Sequence, residues 1–498
     1  LLNQPEVAHV ALDAALKPQL TDSVELIQAT ELIDAGHDGA GWTVAVLDTG
    51  IASAHEAFTD KIVGEACFST TDEGEKSLSL CPDDSDEQIG LGSAEMCQSL
   101  EGCEHGTHVA GIAVGQAATA SGVAPGAKVM PIQVFSEFYD PNECGYENCI
   151  LAMVSDQMRA LEYVYSQRHD YTIAAVNLSL GGGHYSNHCD YAVPAYTDLV
   201  ERLAAVNIAT IVASGNEMEP RNVTFPSCIE QAVSVGSTLP RDGIYNYGYS
   251  TKRDAVSYFS NGGPALDLYA PGHNILGPVA IGFEQKSGTS MAAPHVAGCM
   301  ALLRSTGLNL SVDELTASLK QSGRVIYDRR SGLVNSRIRC AAVLDYQHNP
   351  YQLPTPANFR EIDVGTTHFS VSWSPVALAN QYHVQVASDG NFEHLVQEQI
   401  VAATETTITV TELLPGSDYY VRVQARSDSH RSRYSDGPPM LVRTLPEVSL
   451  ANAVDAPSLV LANVPNHIKP WQADKTYSVK GDYAAKTGTI SHSESSVM

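Results

Sequence analysis

Three short segments carry residue types that can perform nucleophilic catalysis together. Val44-Ala45-Val46-Leu47-Asp48-Thr49-Gly50 is an apolar run ending in a carboxylate and a glycine. His105-Gly106-Thr107-His108-Val109-Ala110-Gly111 opens a small-residue helical pattern with a histidine. Gly288-Thr289-Ser290-Met291-Ala292-Ala293-Pro294-His295 sets a serine at the head of an apolar stretch. A serine hydroxyl becomes a strong nucleophile when a base takes its proton and a carboxylate orients that base. A helix N-terminus beneath Ser290 also favours the negative charge that develops as a carbonyl is attacked.

The elements around these segments are the kind that can position them. Short apolar runs at 43–48, 129–135, 172–179, 208–213 and 232–235 read as buried parallel strands. Amphipathic stretches at 105–114, 150–167, 191–206, 289–303 and 312–321 read as the helices between them. This alternation predicts an α/β fold with a mostly parallel sheet, and such sheets keep their ligand sites at the carboxyl ends of the strands. Asp48 stands at one of those ends. An α/β-hydrolase would run serine, acid, histidine around Gly-x-Ser-x-Gly; here the serine comes last and the second glycine is missing. Cys103, His105 and His108 also have the composition of a zinc site, although a disulfide is the better use of Cys103.

Across the 498 residues, 57 acidic and 29 basic side chains leave a net charge of −28 and a pI near 4.8. Such a surface repels phosphate backbones, which excludes nucleic acid as a partner. With 44% hydrophobic residues the chain can build real cores, and no apolar run reaches the roughly 18 residues of a transmembrane segment. Ten cysteines, several beside acidic or polar residues, point to an oxidising, extracytoplasmic setting. The chain opens at Leu1 without a signal pattern, so an export signal is expected upstream.

With the order Asp48, His105, Ser290 established, the chain resembles the subtilisin-like serine proteases, the subtilases, over about residues 21–346. The resemblance implies that Asp48 orients the base, His105 is the general base and Ser290 the nucleophile. Ala213-Ser214-Gly215-Asn216-Glu217 resembles the family's oxyanion segment, in which Asn216 and the Ser290 N–H would hold the oxyanion. Asn177-Leu178-Ser179-Leu180-Gly181-Gly182 resembles the strand that pairs with substrate. Ser179, Leu180 and Gly181 would then wall the first specificity pocket with Ala213, Ser214 and Gly215, and Thr224 would sit at its floor and make it shallower.

The same resemblance implies a disulfide between Cys189 and Cys228; Cys144 and Cys149 enclose a short loop beside the expected cleft and are expected to pair on its rim, and Cys299 and Cys340 are expected as a third pair. For Cys67, Cys81, Cys97 and Cys103 three pairings stay open. No cofactor is implied for the chemistry. The relatives' tight calcium site should be absent: Asp22 could serve it, but Ala57 stands where an aspartate is expected and 115–122 lacks oxygen-rich side chains. The stretch 65–104 carries eleven acidic residues against Lys76. Its run Asp83-Asp84-Ser85-Asp86-Glu87 is either a solvated charge run or a structural calcium site, the former favoured.

Five regions are expected: the tail of an inhibitory propeptide at 1–20, cleaved near Leu20–Thr21; a catalytic domain at 21–349; a proline-rich linker at 350–356; a module at 357–446; and a linker with the start of a further β-domain at 447–498. The module resembles a fibronectin type III domain, an all-β sandwich, with Trp373 and Tyr382 in its core and Leu414-Pro415-Gly416-Ser417-Asp418-Tyr419 forming a tyrosine corner. The expected protein is a secreted, propeptide-processed serine endopeptidase acting on proteins or peptides, inhibited by its own propeptide, with surface or polymer binding assigned to the C-terminal modules. The competing class is a surface adhesin with a degenerate protease domain.

Overall fold

The computed structural model describes residues 19–447 apart from 99, 146, 147, 349–352, 354, 377, 378, 428–430 and 436–439, together with the short strands 472–474 and 484–486. The expected propeptide tail up to residue 18, most of the proline-rich linker and nearly all of the last region lie outside the described residues. The chain divides into two compact units, Leu1–Tyr351 and Gln352–Met498.

Apolar residues on both faces make the strand Thr43–Asp48 one that can only lie inside a sheet covered on both sides. It is buried along its whole length, with Val44 and Val46 in one core and Ala45 and Leu47 in the other. It sits within a ten-stranded sheet. In spatial order the strands are Arg324–Asp328, Leu333–Arg337, Leu268–Pro271, Val233–Thr238, Ala209–Ala213, Ile173–Leu178, Thr43–Asp48, Lys128–Gln133, Ala66–Phe68 and Glu87–Ile89. The central pairs are parallel, and only the two outermost pairs are antiparallel. From Thr43–Asp48 the chain lays down Ala66–Phe68 and Glu87–Ile89 at one edge, returns with Lys128–Gln133 to fill the gap, and then crosses to Ile173–Leu178 on the other side. That reversal opens a crevice at the carboxyl ends of Thr43–Asp48 and Ile173–Leu178.

Helices His105–Val114 and Thr289–Ser305 share one face of the sheet, and Val154–Gln167 and Pro194–Ala205 cover the other. The first two are apolar nearly all round, as helices buried on every side must be. They approach closely at Gly298, where a side chain would come within 2.7 Å of the Ala113 carbonyl. The expected helix at 150–167 begins later, at Val154, because Cys149–Leu151 joins a small sheet with Ser77–Ser79 and Ser136–Phe138 instead.

In the second unit, Arg360–Val364, Phe369–Ser372 and Thr407–Val410 form one antiparallel sheet. Leu395–Ala402, Gln381–Ala387, Asp418–Arg426, Arg431–Tyr434 and Met440–Arg443 form the other. Trp373, Tyr382, Tyr419, Val421, Val423 and Ala425 are buried between them. The Leu414 N–H donates to the Tyr419 hydroxyl at 2.9 Å, which closes the tyrosine corner.

Candidate active site

Asp48 is buried at the end of its strand. Its Oδ1 accepts the Thr49 N–H at 2.8 Å and meets His105 Nδ1 at 2.8 Å. Oδ2 is buried without a partner among the described residues. The helix that carries His105 receives no cap from Glu104, the residue before it. Thr49 caps it from another segment: its Oγ1 accepts the Gly106 N–H and donates to the Cys103 carbonyl, both at 2.9 Å. Gly106 is required by proximity, since a side chain there would lie 2.3 Å from the Gly50 carbonyl oxygen.

Burial pushes the His105 pKa down, but the charge and hydrogen bond of Asp48 outweigh it and the net shift is upward. Lys286 opposes that rise. It reaches the site from the hairpin Ile275–Pro278/Phe283–Lys286, where Lys286 Nζ lies 3.8 Å from the Glu104 carboxylate.

Ser290 is the second residue of its helix, and its hydroxyl donates to the Ser179 carbonyl at 3.2 Å. Pro294, four residues on, has no N–H to return to the Ser290 carbonyl. Ser179 Oγ fills that gap by donating to the Ser290 carbonyl at 2.8 Å, and Asn177 Nδ2 donates to the same Oγ at 2.9 Å. The proline was legible as a freed carbonyl beside Ser290. Its partner was not, since it lies 111 residues away in sequence.

Asn216 follows the strand Ala209–Ala213. Its Oδ1 accepts both the N–H and the hydroxyl of Thr289, at 2.8 and 3.0 Å, which turns its amide N–H toward the cleft. A methyl built on Gly288 would lie 3.6 Å from both Ser290 N and Asn216 Oδ1 and 3.7 Å from Asn216 Nδ2, so Gly288 leaves open space beside both residues. Thr224 is buried between the segments expected to wall the pocket, with Gly181 on one side and Gly215 on the other. Side chains at those glycines would lie 2.4 Å from Thr224 Oγ1 and 2.7 Å from its Cγ2. Ala213 and Ser214 are buried beside it, and both the Thr224 N–H and its hydroxyl donate to the Ser214 carbonyl.

All ten cysteines are paired: Cys67–Cys81, Cys97–Cys103, Cys144–Cys149, Cys189–Cys228 and Cys299–Cys340. Cys103 thus has no thiolate for zinc. His108 is fully buried, with Nε2 at 3.0 Å from the Glu284 carbonyl, and burial pushes its pKa down to about 3. Asp22, the one residue able to serve the relatives' calcium site, pairs with Arg241 at 3.3 Å, and Ala57 is buried. These residues do not fit calcium. In the acidic run, Asp83 Oδ1 accepts the Ser85 N–H and hydroxyl, and Asp86 Oδ1 accepts the Thr71 N–H. Among the described residues no group of three or more His, Cys, Asp or Glu side chains is arranged to hold a metal, and no helix is long and apolar enough to cross a membrane.

The family model "Subtilase family" matches residues 39–337, and "Fibronectin type III domain" matches 354–437. The chain is 30% identical over 361 residues to the "Extracellular basic protease" of Dichelobacter nodosus, covering 67% of this chain and 55% of that protein. It thus spans about half the length of that relative. It is 30% identical to the "Extracellular serine proteinase" of Thermus sp. (strain Rt41A), covering 61% of this chain and 62% of that one. It is 28% identical to the "Major intracellular serine protease" of Bacillus subtilis (strain 168), covering 58% and 76%. A solved cold adapted subtilisin-like serine proteinase aligns at 26% identity and a TM-score of 0.44, covering 61% of this chain and 90% of that one.

Proposed function

Because the chain belongs to the subtilase family, we propose that it is a secreted serine endopeptidase that hydrolyses peptide bonds of proteins through an acyl-enzyme. The observation that carries this is the 2.8 Å contact between His105 Nδ1 and buried Asp48, at the same sheet edge as Ser290. A base oriented through one ring nitrogen presents the other to the serine.

In the proposed reaction Ser290 Oγ rotates from the Ser179 carbonyl to His105 Nε2, which takes its proton as Oγ attacks the scissile carbonyl carbon. The oxyanion enters the space before Gly288, where Asn216 Nδ2 and the Ser290 N–H donate to it and the helix N-terminus supports the charge. His105 then gives its proton to the leaving amine as the C–N bond breaks. Water repeats the sequence on the ester, restoring Ser290 and releasing the carboxylic acid. Thr224 fills the base of the pocket, so a shallow apolar pocket suits a leucine-like side chain before the scissile bond.

Five disulfides support an oxidising compartment. Processing near Leu20–Thr21 belongs to the same proposal. That bond falls in the first turn of helix Gln19–Leu26, which would have to unwind for cleavage. Active enzyme that retains Leu1 on N-terminal sequencing overturns the processing step. Surface or polymer binding by the module at 357–446 is checked by adsorption of the full chain to insoluble protein. The central test is labelling by an organophosphorus serine reagent, expected in the processed wild type and lost in Ser290→Ala. A processed wild type that does not label leaves the adhesin class standing.

A further inference from the structure

The loop joining Val233–Thr238 to Leu268–Pro271 holds tyrosines out into solvent at alternate positions. Tyr245, Tyr247 and Tyr249 are 71%, 64% and 50% exposed, while Ile244 before them and Asn246 between the first two are buried. Asn246 is the anchor: its Nδ2 donates to the Ser250 and Val256 carbonyls, and its Oδ1 accepts the Tyr258 N–H. The loop is built to display these rings, and a cluster of exposed aromatics marks an interaction surface.

The surface is continuous with the site. Tyr247 stacks on Tyr258 at 5.3 Å. The following residues are bonded to the oxyanion segment: the Asn261 N–H to the Gly215 carbonyl, the Met218 N–H to the Phe259 carbonyl, and the Glu217 and Glu219 N–H groups to Asn261 Oδ1. Along the sheet edge, Val233–Thr238 is two strands beyond Ile173–Leu178, a displacement of roughly 10 Å. If substrate lies along Ser179–Gly181 on the acyl side of the scissile bond, the tyrosines stand beyond Asn216, where the leaving chain emerges.

Resting on the endopeptidase reading, we propose that Tyr245 and Tyr247 form an exosite for the substrate polypeptide on the leaving-group side, gripping an extended chain with apolar side chains at alternate positions. The two rings are 6.2 Å apart, close to the roughly 6.6 Å two-residue repeat of an extended strand. They meet edge to face at 70°, so the pair offers a passing chain one ring face and one ring edge rather than a flat platform for a sugar ring. The loop's Lys252 is paired with Asp242, so the surface does not require a charged ligand.

The test compares wild type with the exposed double variant Tyr245→Ser/Tyr247→Ser on two peptides. One is a nitroanilide ending at the scissile bond; the other is an internally quenched peptide continuing past it with leucine and phenylalanine at alternate positions. The variant should cleave the nitroanilide within about twofold of wild type, while KM for the extended peptide rises roughly tenfold at unchanged kcat. In a Ser290→Ala background the same two substitutions should weaken binding of the labelled extended peptide by a similar factor. Equal effects on both peptides, no effect on either, or the same effect with serine and glycine in the extension overturn the exosite. So does tyrosine fluorescence that answers to a soluble oligosaccharide but not to the peptide, or a wild-type dimer that the variant converts to monomer. If wild type cleaves neither peptide, the endopeptidase reading fails, and the Ser290→Ala binding measurement still decides the exosite.

Discussion

The Ser290 hydroxyl has two acceptors within its reach in the proposed cycle, the Ser179 carbonyl that it now contacts and the His105 ring, whose orientation Asp48 fixes. Which state His105 is in decides whether the serine is activated. Its pKa is raised by Asp48 despite burial, so activity should fall on acidification from above pH 6.5. Lys286 lowers that pKa, so Lys286→Met should move the acid limb of kcat/KM to higher pH. Glu104→Gln removes the countercharge that Lys286 faces, so it should strengthen the Lys286 effect and move the limb to lower pH. Both shifts should shrink at high salt; pH–rate profiles at two ionic strengths check the signs. Asn216→Ala should lower kcat by about 10²–10³ with little change in KM, the magnitude being that of the equivalent removal in subtilisin. Thr289→Val should cost less, because it keeps the N–H that fixes the Asn216 carbonyl and removes only the hydroxyl.

At the scale of elements, the two helices bearing His105 and Ser290 are held by atoms from other segments. Thr49 caps the histidine helix and Ser179 completes the serine helix at the turn that Pro294 leaves open. Ser179→Ala should leave a buried carbonyl unpaired and destabilise by about 1–3 kcal/mol. It should also lower kcat, since the displaced carbonyl belongs to the proposed nucleophile; urea unfolding and single-turnover kinetics on one preparation check both effects. Gly106→Ala should be worse, because the added methyl meets backbone rather than a movable side chain. Thermal unfolding should show a lower Tm with the disulfides intact. The motifs around Asp48, His105 and Ser290 were legible because each packs its chemistry into a few adjacent residues. The pieces that steady them were not, because Thr49, Ser179 and Lys286 act on residues far away in the chain.

Over the whole molecule, two buried histidines set the acid limit of stability. His108 is neutral with a pKa near 3, and His295 is held near 4 by burial, between the Met291 carbonyl and the Ser23 hydroxyl. Unfolding returns each to about 6.5. Below that pH the unfolded chain binds protons that the native chain does not, so stability falls from pH 6.5 toward 4, by roughly 2 kcal/mol per histidine at pH 5. His108→Gln keeps a donor for Glu284 without titrating and should flatten this loss, measured as urea midpoints between pH 7 and 4.5. The net charge of −28 is densest in the stretch 65–104. There Asp83 accepts the Ser85 hydroxyl and Asp86 the Thr71 N–H.

What the sequence by itself determined is what short-range pattern can hold. Short apolar runs specified buried parallel strands, and the shift to period-two segments after the proline-rich stretch specified a second, all-β unit. The order of three motifs specified the family. What only the tertiary structure decided is which distant atoms meet. The cysteine pairs Cys67–Cys81 and Cys97–Cys103, the Asp22–Arg241 bridge, and the serine that answers for Pro294 are all contacts of this kind. The physical reason is that burial and hydrogen-bond satisfaction are properties of position. Asp48 and His105 are 57 residues apart and Ser179 and Ser290 are 111 apart, and their contacts exist only once the sheet places its carboxyl ends side by side.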